Sequence, residues 1–229
     1  MRVVSLVPSS TETLLALGVD VVACTRFCEQ PNRRQVGGTK TPDIDAIVDL
    51  APDLVVMDRE ENRRDDHDSL VLHGVPVWVS DVRSVDDAIA AVAALAERTG
   101  RPAPVAPLPT VAASPTRRTA FVPIWRRPWM TIGPGTYGAS LLAYLGVDLV
   151  TADIAGDYPT VDLDDLGARS PELVLVPSEP YAFSDAHLDE LRAVLPWARV
   201  QRVDGQDLFW WGVRTPGAIE RLGAVIAAG

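Results

Sequence analysis

Apolar and polar positions alternate along the chain in blocks that predict strands and helices in turn. Short apolar runs that stop at turn residues, such as residues 3–7 and 54–57, are typical of buried parallel strands. Further strands are expected at residues 20–23, 75–79, 119–124, 173–176 and 200–203. Stretches with helical spacing of apolar residues, opened by capping residues and closed by glycine, predict helices. They lie at residues 10–17, 43–50, 63–73, 84–99, 136–145, 163–168, 185–195 and 216–228. Thr41 is the expected cap of the second of these, with Pro42 in its first turn.

Proline density divides the sequence into two halves. Residues 101–115 hold five prolines among small residues. Proline lacks a backbone N–H and interrupts helices and central strands, so this segment is expected to be a semi-rigid connector. We place a lobe boundary here.

The two halves also resemble each other. LLALGVDVV at residues 14–22 is echoed by LAYLGVDLV at 142–150, and DAIVDLAPDLVV at 45–56 by DDLGARSPELVLV at 164–176. The alternative is that any two helix-to-strand turns look alike. Because the order also agrees, we interpret the chain as a two-lobed α/β protein with Rossmann-like lobes. Parallel sheets bind ligands beyond the carboxyl ends of their strands, so we expect a ligand cleft between the lobes.

Composition narrows the range of functions. The chain has 229 residues, 47% hydrophobic and 23% charged, which is typical of a soluble globular protein. Its net charge of −10 argues against binding nucleic acid or an anionic membrane surface. The first residues show no export signal, so a cytoplasmic location is expected. Cys24 and Cys28 are expected to be reduced, packed thiols, with metal ligation and redox use as alternatives.

The loops expected at the strand ends are rich in aromatic and arginine residues. Aromatic rings and guanidinium groups suit a large, flat, partly anionic ligand. The alternative is that these rings only pack the lobes. The candidate ligand-binding residues are Ser9, Ser10, Phe27, Cys28, Thr39, Lys40, Glu61, Trp125, Arg126, Trp129, Tyr137, Glu179, Tyr181, Trp210, Trp211 and Arg214.

Enzyme and metal-site signatures are missing from the sequence. It contains no G-x-S-x-G, no Walker loop and no H-E-x-x-H. The histidines His67, His73 and His187 are expected on helix surfaces, and no metal site is predicted. If a bound metal needs a protein ligand, Cys28 or Glu179 is the candidate. We therefore predict a binding protein without a catalytic site or a required cofactor.

Several motifs carry a resemblance to a known family. VSLVPSSTE at residues 4–12, VGGTKTPD at 36–43 and PDLVV at 52–56 are similar to the class III, helical-backbone binding proteins of ABC importers for cobalamin, haem and iron-siderophores. The resemblance is strongest to the cobalamin branch and covers nearly the whole chain. It implies an N-terminal α/β lobe at 1–83, a connecting backbone helix with the proline-rich linker at 84–116, and a C-terminal α/β lobe at 117–229. Glu60 or Glu61 would dock on permease arginines.

These observations predict a protein that binds a metal chelate, with a corrinoid such as cobalamin first and haem or a ferric siderophore next. The expected partners are the chelate and an ABC permease or a corrinoid-using protein, with no nucleic acid and no membrane insertion. Two alternatives stay open. One is a cytosolic adaptor or chaperone whose tryptophans meet a protein partner, and the other is an enzyme on the same scaffold using Glu179, Glu60 or Cys28.

Overall fold

A computed structural model describes residues 1–104, 107–111 and 117–228, which divide into two compact units. Unit 1 comprises Met1–Val82, Asp86–Ala106 and Trp211–Val213, and unit 2 comprises Arg83–Val85, Pro107–Trp210 and Arg214–Gly229. Part of the predicted proline-rich connector, residues 105–106 and 112–115, lies outside the described residues.

Unit 1 is built on a parallel sheet with the strand order β3-β2-β1-β6-β7 and a small antiparallel pair, β4-β5. Its strands are β1 (Arg2–Ser5), β2 (Asp20–Cys24), β3 (Arg34–Gln35), β4 (Gly37–Gly38), β5 (Thr41–Pro42), β6 (Leu54–Asp58) and β7 (Val77–Ser80). The helices are α1 (Pro8–Ala16), α2 (Ile44–Asp49), α3 (Arg64–Leu72) and α4 (Val85–Arg98), whose first residue is grouped with unit 2.

Burial explains why the strands of unit 1 are visible in the sequence. Every residue of β6 is buried, as in a strand covered on both faces by helices. Leu6 and Met57 pack with Ile47 of α2 and Leu70 of α3 in one hydrophobic core. The strands appear as apolar runs in the sequence because residues on both of their faces are buried in this way.

The cap of α2 differs from the prediction. Asp43, not Thr41, precedes the helix, and its Oδ1 accepts a hydrogen bond from the N–H of Ala46 at 3.0 Å. Thr41 lies in β5, where its backbone pairs with Gly38. Thr41 is therefore too early in the chain to reach the free N–H groups at the start of the helix.

We expect Asp43→Ala to lower the free energy of unfolding by about 1 kcal/mol, the usual cost of losing a helix cap. Thr41→Ala is the matched control and should change the free energy by less than about 0.5 kcal/mol. Urea denaturation of both variants makes the comparison. An equal or larger loss for Thr41→Ala would contradict the assignment of the cap.

Unit 2 contains a parallel sheet with the strand order β11-β8-β13-β14 and an antiparallel sheet with the order β12-β10-β9. Its strands are β8 (Arg118–Phe121), β9 (Pro123–Trp125), β10 (Trp129–Thr131), β11 (Val147–Leu149), β12 (Thr160–Val161), β13 (Leu173–Pro177) and β14 (Arg199–Val203). The helices are α5 (Tyr137–Tyr144), α6 (Leu163–Arg169), α7 (Asp185–Val194), α8 (Gly205–Phe209) and α9 (Thr215–Ala227).

One predicted strand of unit 2, at residues 119–124, is in fact two. β8 ends at Phe121, and Pro123 begins β9 in the antiparallel sheet. Proline cannot donate to a ladder, so it cannot continue a central parallel strand. Thr131 of β10 fixes the break, because its hydroxyl donates to the carbonyl of Val122 at 2.8 Å.

The core of unit 2 lies between its parallel sheet and helices α6 and α7. Phe121, Val174 and Val176 pack there with Leu166 and Leu191. The prediction of α/β architecture with parallel sheets is confirmed. In the described residues, no helix combines the length and the apolar character needed to cross a membrane.

Candidate functional site

The carboxyl edge of the parallel sheet in unit 1 carries the predicted residues of the first half. Ser9 and Ser10 lie in the first turn of α1, directly after β1, and both are buried. The hydroxyl of Ser10 has no hydrogen-bond partner among the described residues. Thr39 is also buried, and its carbonyl accepts a hydrogen bond from Asn62 at 2.9 Å. Burial leaves these side chains little surface for a ligand.

Phe27 is the exposed aromatic residue of this edge. It follows β2, and 49% of its surface is accessible. The Arg26 guanidinium lies 4.7 Å from the ring centroid. A Cβ on Gly38 would lie 3.1–3.2 Å from these two side chains, so the glycine leaves room for them. Cys28, the next residue along the chain, is buried.

An acidic turn after β6 is held by a buried carboxylate. Asp58 accepts hydrogen bonds from the Ser80 hydroxyl at 2.6 Å and from the N–H of Glu60 at 2.9 Å. Burial raises the pKa of the Asp58 carboxyl, and the hydrogen bond from Ser80 opposes that rise. Lys40 contacts the carbonyl of Glu60. Glu61 is thus an exposed carboxylate on an anchored turn.

Unit 2 brings five ring side chains together into an aromatic cluster, consisting of Trp125, Trp129, Tyr181, Phe183 and His187. Trp125 meets Tyr181 edge to face at 5.2 Å, and Tyr181 lies 4.7 Å from Phe183. Trp129 stacks on Phe183 at 5.9 Å with an interplanar angle of 3°. Trp129 and Tyr181 pack on the core, whereas Trp125 keeps 46% of its surface accessible. The cluster therefore joins the core to an exposed tryptophan face.

The cluster lies at the carboxyl edge of the sheet in unit 2, because Trp125 follows β8 and Tyr181 follows β13. Arg126 lies beside it, 5.6 Å from the Trp129 ring, and forms a bidentate ion pair with Glu190 of α7 at 2.7–3.0 Å. We expected Arg126 to meet an anionic ligand. In this structure its charge is already balanced within the unit.

A second group of side chains follows β14. The Trp210 Nε1–H donates to Glu179 at 2.7 Å, and the Arg214 guanidinium lies 5.3 Å from the Trp210 ring. Arg214 also donates to Asp207 at 3.2 Å. Burial acts to raise the pKa of the Asp207 carboxyl, but hydrogen bonds and charges from Arg221 and Arg214 outweigh burial and lower it. The guanidinium of Arg214, like that of Arg126, is therefore paired within unit 2.

Two of the predicted aromatic residues are buried. The Tyr137 hydroxyl lies 2.9 Å from that of Thr215, and burial raises the pKa of Tyr137 to about 12. Trp211 is 5% exposed and belongs to unit 1, whereas its neighbour Trp210 is half-buried in unit 2. Both buried rings act as packing residues here.

Sequence reasoning missed the partners of the predicted residues. Glu190 and Asp207 are ordinary acidic residues in the sequence, and no local signal marks them as the partners of Arg126 and Arg214. His187 was expected on a helix surface, but its ring lies 5.8 Å from that of Tyr181. Tyr158 is exposed beside β12. The sequence Gly-Asp-Tyr-Pro around it is typical of a turn, which is a weak indication of an exposed ring. Among the described residues, no group of three or more His, Cys, Asp or Glu side chains could hold a metal ion.

Comparisons with known proteins agree with the fold. Residues 3–106 match the family described as periplasmic binding protein. The chain is 26% identical over 190 residues to the vitamin B12-binding protein of Salmonella paratyphi A, covering 76% of this chain and 71% of that one. It is 24% identical over 193 residues to the vitamin B12-binding protein of Photorhabdus laumondii, covering 77% and 70%.

Solved structures give the same result along nearly the whole chain. The periplasmic vitamin B12 binding protein BtuF of Vibrio cholerae superposes with a TM-score of 0.77 at 20% identity, covering 97% of this chain and 95% of that one. The periplasmic heme-binding protein BhuT, in complex with two hemes, superposes with a TM-score of 0.78 at 21% identity and 99% coverage of both chains.

The prediction of a cytoplasmic location is wrong. That prediction was based on the first residues of the chain. The folded units do not indicate the compartment in which the protein works. The structures to which the chain is similar are those of periplasmic proteins.

The predicted resemblance is confirmed, and the similar proteins are binding proteins, in agreement with the prediction that the chain is not an enzyme. Residues 3–106 match the periplasmic binding protein family, and along nearly its whole length the chain has a fold similar to that of solved periplasmic binding proteins.

Proposed function

We propose that this protein works outside the cytoplasm, where it binds a planar metal chelate and delivers it to an ABC permease. A corrinoid is the first choice of chelate. Relatives named as vitamin B12-binding proteins support the ligand class. Haem is the next choice, because solved structures of similar fold bind it. The chelate brings its own metal, so no resident cofactor is needed.

The observation that carries the proposal is the aromatic cluster of unit 2. Trp125 keeps 46% of its surface accessible while its ring contacts Tyr181 edge to face. A ring fixed in advance loses little conformational entropy when a flat ligand covers it. The cluster also lies at the carboxyl edge of a parallel sheet, where α/β proteins bind ligands.

The charge pattern near the cluster favours a corrinoid over haem. Arg126 is paired with Glu190 and Arg214 with Asp207, whereas Arg127, the neighbour of Arg126 in the chain, is exposed. Haem carries two propionates that seek free cations, whereas the periphery of a corrin ring carries mainly neutral amides. The two paired arginines suit the amides better, because neither has to be released from its carboxylate.

The acidic turn of unit 1 supports a permease as the partner. Glu61 is exposed, and Asp58 accepts hydrogen bonds from the N–H groups of Glu60 and Glu61 at 2.9 and 3.4 Å. A carboxylate on an anchored turn can meet an arginine without ordering a loop. The adaptor and enzyme alternatives have no support from the comparisons.

A ligand panel tests the proposal. Cyanocobalamin, haemin and a ferric hydroxamate siderophore are each titrated into the protein, with thermal unfolding and visible absorbance as readouts. A ligand at 100 times its dissociation constant adds about 2.7 kcal/mol of stability, and we expect cyanocobalamin to give the largest shift. Binding of haemin alone would overturn the corrinoid assignment. If none of the three raises the unfolding temperature, chelate binding itself is wrong.

A further inference from the structure

Two cysteines lie at the carboxyl end of β2, and one of them is the predicted ligand-binding residue Cys28. Cys24 is the last residue of the strand and Cys28 lies in the turn that follows, where its N–H donates to the carbonyl of Thr25 at 3.1 Å. Both are free thiols, with 0% and 3% of their surface exposed. The turn thus brings the second cysteine back toward the first.

The surroundings of Cys28 are polar for a buried thiol. Its Sγ lies 3.1 Å from the Thr11 hydroxyl and 3.2 Å from the Thr25 hydroxyl. The Cys24 thiol, at the end of the strand that leads into this turn, interacts electrostatically with the Cys28 sulfur. The Cys28 sulfur therefore has two hydroxyl groups within hydrogen-bonding distance, and the second thiol interacts with it.

This arrangement shifts the pKa values of the two thiols in opposite directions. The hydrogen bond from Cys24, with those from Thr11 and Thr25, lowers the pKa of Cys28 to about 6 although burial opposes it. The same hydrogen bond, together with burial, raises the pKa of Cys24. A thiolate beside a protonated thiol is the arrangement of an attacking and a resolving cysteine.

The residues on both sides of Cys28 in the turn are exposed, although the thiol itself is buried. Arg26, Phe27 and Glu29 are exposed, and Glu29 has a φ of 53°, which is unfavourable for a residue with a side chain. A residue held in this conformation stores backbone strain directly beside Cys28.

We propose that Cys24 and Cys28 form a redox pair that closes to an intrachain disulfide. The Cys28 thiolate attacks one sulfur of a disulfide oxidant, such as oxidised glutathione, and the S–S bond of the oxidant breaks to release one thiol. Cys24 then loses its proton to solvent and attacks the Cys28 sulfur of the mixed disulfide, releasing the second thiol. Two cysteine thiols are oxidised and one disulfide is reduced to two thiols. The bond fixes the turn that carries Phe27. This inference does not depend on the proposed ligand.

Thiol trapping with intact-mass measurement tests the pair. The full chain is incubated with oxidised glutathione, either folded or during refolding from denaturant, then quenched in acid, unfolded and labelled with N-ethylmaleimide. We expect the main species to lack two hydrogens and to carry no label. Dithiothreitol should restore both labelling sites. Formation of this species in the folded arm supports the pair, whereas its formation only during refolding would overturn the folded-state Cys28 thiolate as the attacking group.

Single variants provide the controls. Cys24→Ser should retain glutathione on Cys28, since no resolving thiol remains, whereas Cys28→Ser should stay largely unmodified in the folded arm. Two maleimide labels on the oxidised wild-type chain in both arms would overturn the proposal. So would a lasting glutathione adduct on wild-type Cys28 at the level found for Cys24→Ser.

Discussion

Replacing Asp207 with asparagine is expected to lower the free energy of unfolding by about 3 kcal/mol. The Asp207 side chain is only 2% exposed, and its carboxylate accepts two hydrogen bonds from Arg221 at 2.6 Å and one from Arg214 at 3.2 Å. Asparagine keeps the shape but removes the charge and places an NH₂ group against a guanidinium. The loss therefore combines weakened charged hydrogen bonds with an unbalanced charge on the half-buried Arg214.

This effect should depend on pH with a defined sign. The pKa of the Asp207 carboxyl is lower in the folded protein than its usual value. Its stabilising contribution is therefore complete above the unfolded-state pKa of about 4 and is lost as the pH falls through the folded-state value. The difference between wild type and Asp207→Asn should be constant near neutral pH and shrink below about pH 4.

Urea denaturation at pH 7 and at acid pH measures both parts of this prediction. Asp189→Asn is the matched control, because Asp189 pairs with Arg192 on the surface, where both side chains are more than half exposed. An exposed pair contributes about 0–1 kcal/mol. If the two variants lose a similar free energy of unfolding, the ion pairs of Asp207 with Arg214 and Arg221 do not stabilise the fold more than an exposed pair does.

Replacing Tyr181 with alanine is expected to weaken cobalamin binding more than tenfold, a loss of at least about 1.4 kcal/mol. Tyr181 holds the exposed Trp125 ring edge to face and lies against Phe183. Removing Tyr181 takes away contact area for the ligand. It also frees the Trp125 ring, so the entropy lost when the ligand orders that ring reduces the binding free energy. We expect a similar loss for Trp210→Ala, because the Trp210 ring is held between Glu179 and Arg214.

Isothermal calorimetry with cyanocobalamin measures these affinities, and circular dichroism checks that each variant is folded. Trp197→Ala is the control. Trp197 is 53% exposed, as accessible as Trp125, but it precedes β14 and so lies at the amino edge of the same sheet. Its loss should leave the affinity unchanged. If wild type, Tyr181→Ala and Trp210→Ala bind cyanocobalamin with equal affinity, the ligand does not bind at this edge of the sheet.

The α/β architecture and most of the element positions can be predicted from the order of the amino acids. Strands such as β6 and β13 are buried along their whole length, so burial on both faces appears directly as an apolar run. Glycines that end helices and residues that cap them act within a few positions, so they too can be found locally. The aromatic residues after β8, β13 and β14 could be placed at one edge because parallel strands share their direction.

Which of these residues are accessible and which are paired depends on packing in three dimensions. Arg126 meets Glu190 across 64 positions of sequence, and Trp210 meets Glu179 across 31, separations at which sequence carries no pairing signal. Ser10, Tyr137 and Trp211 look like loop-end binding residues in the sequence and are buried in the fold. Burial and charge pairing are properties of neighbours in space, and the pattern along the chain does not contain them.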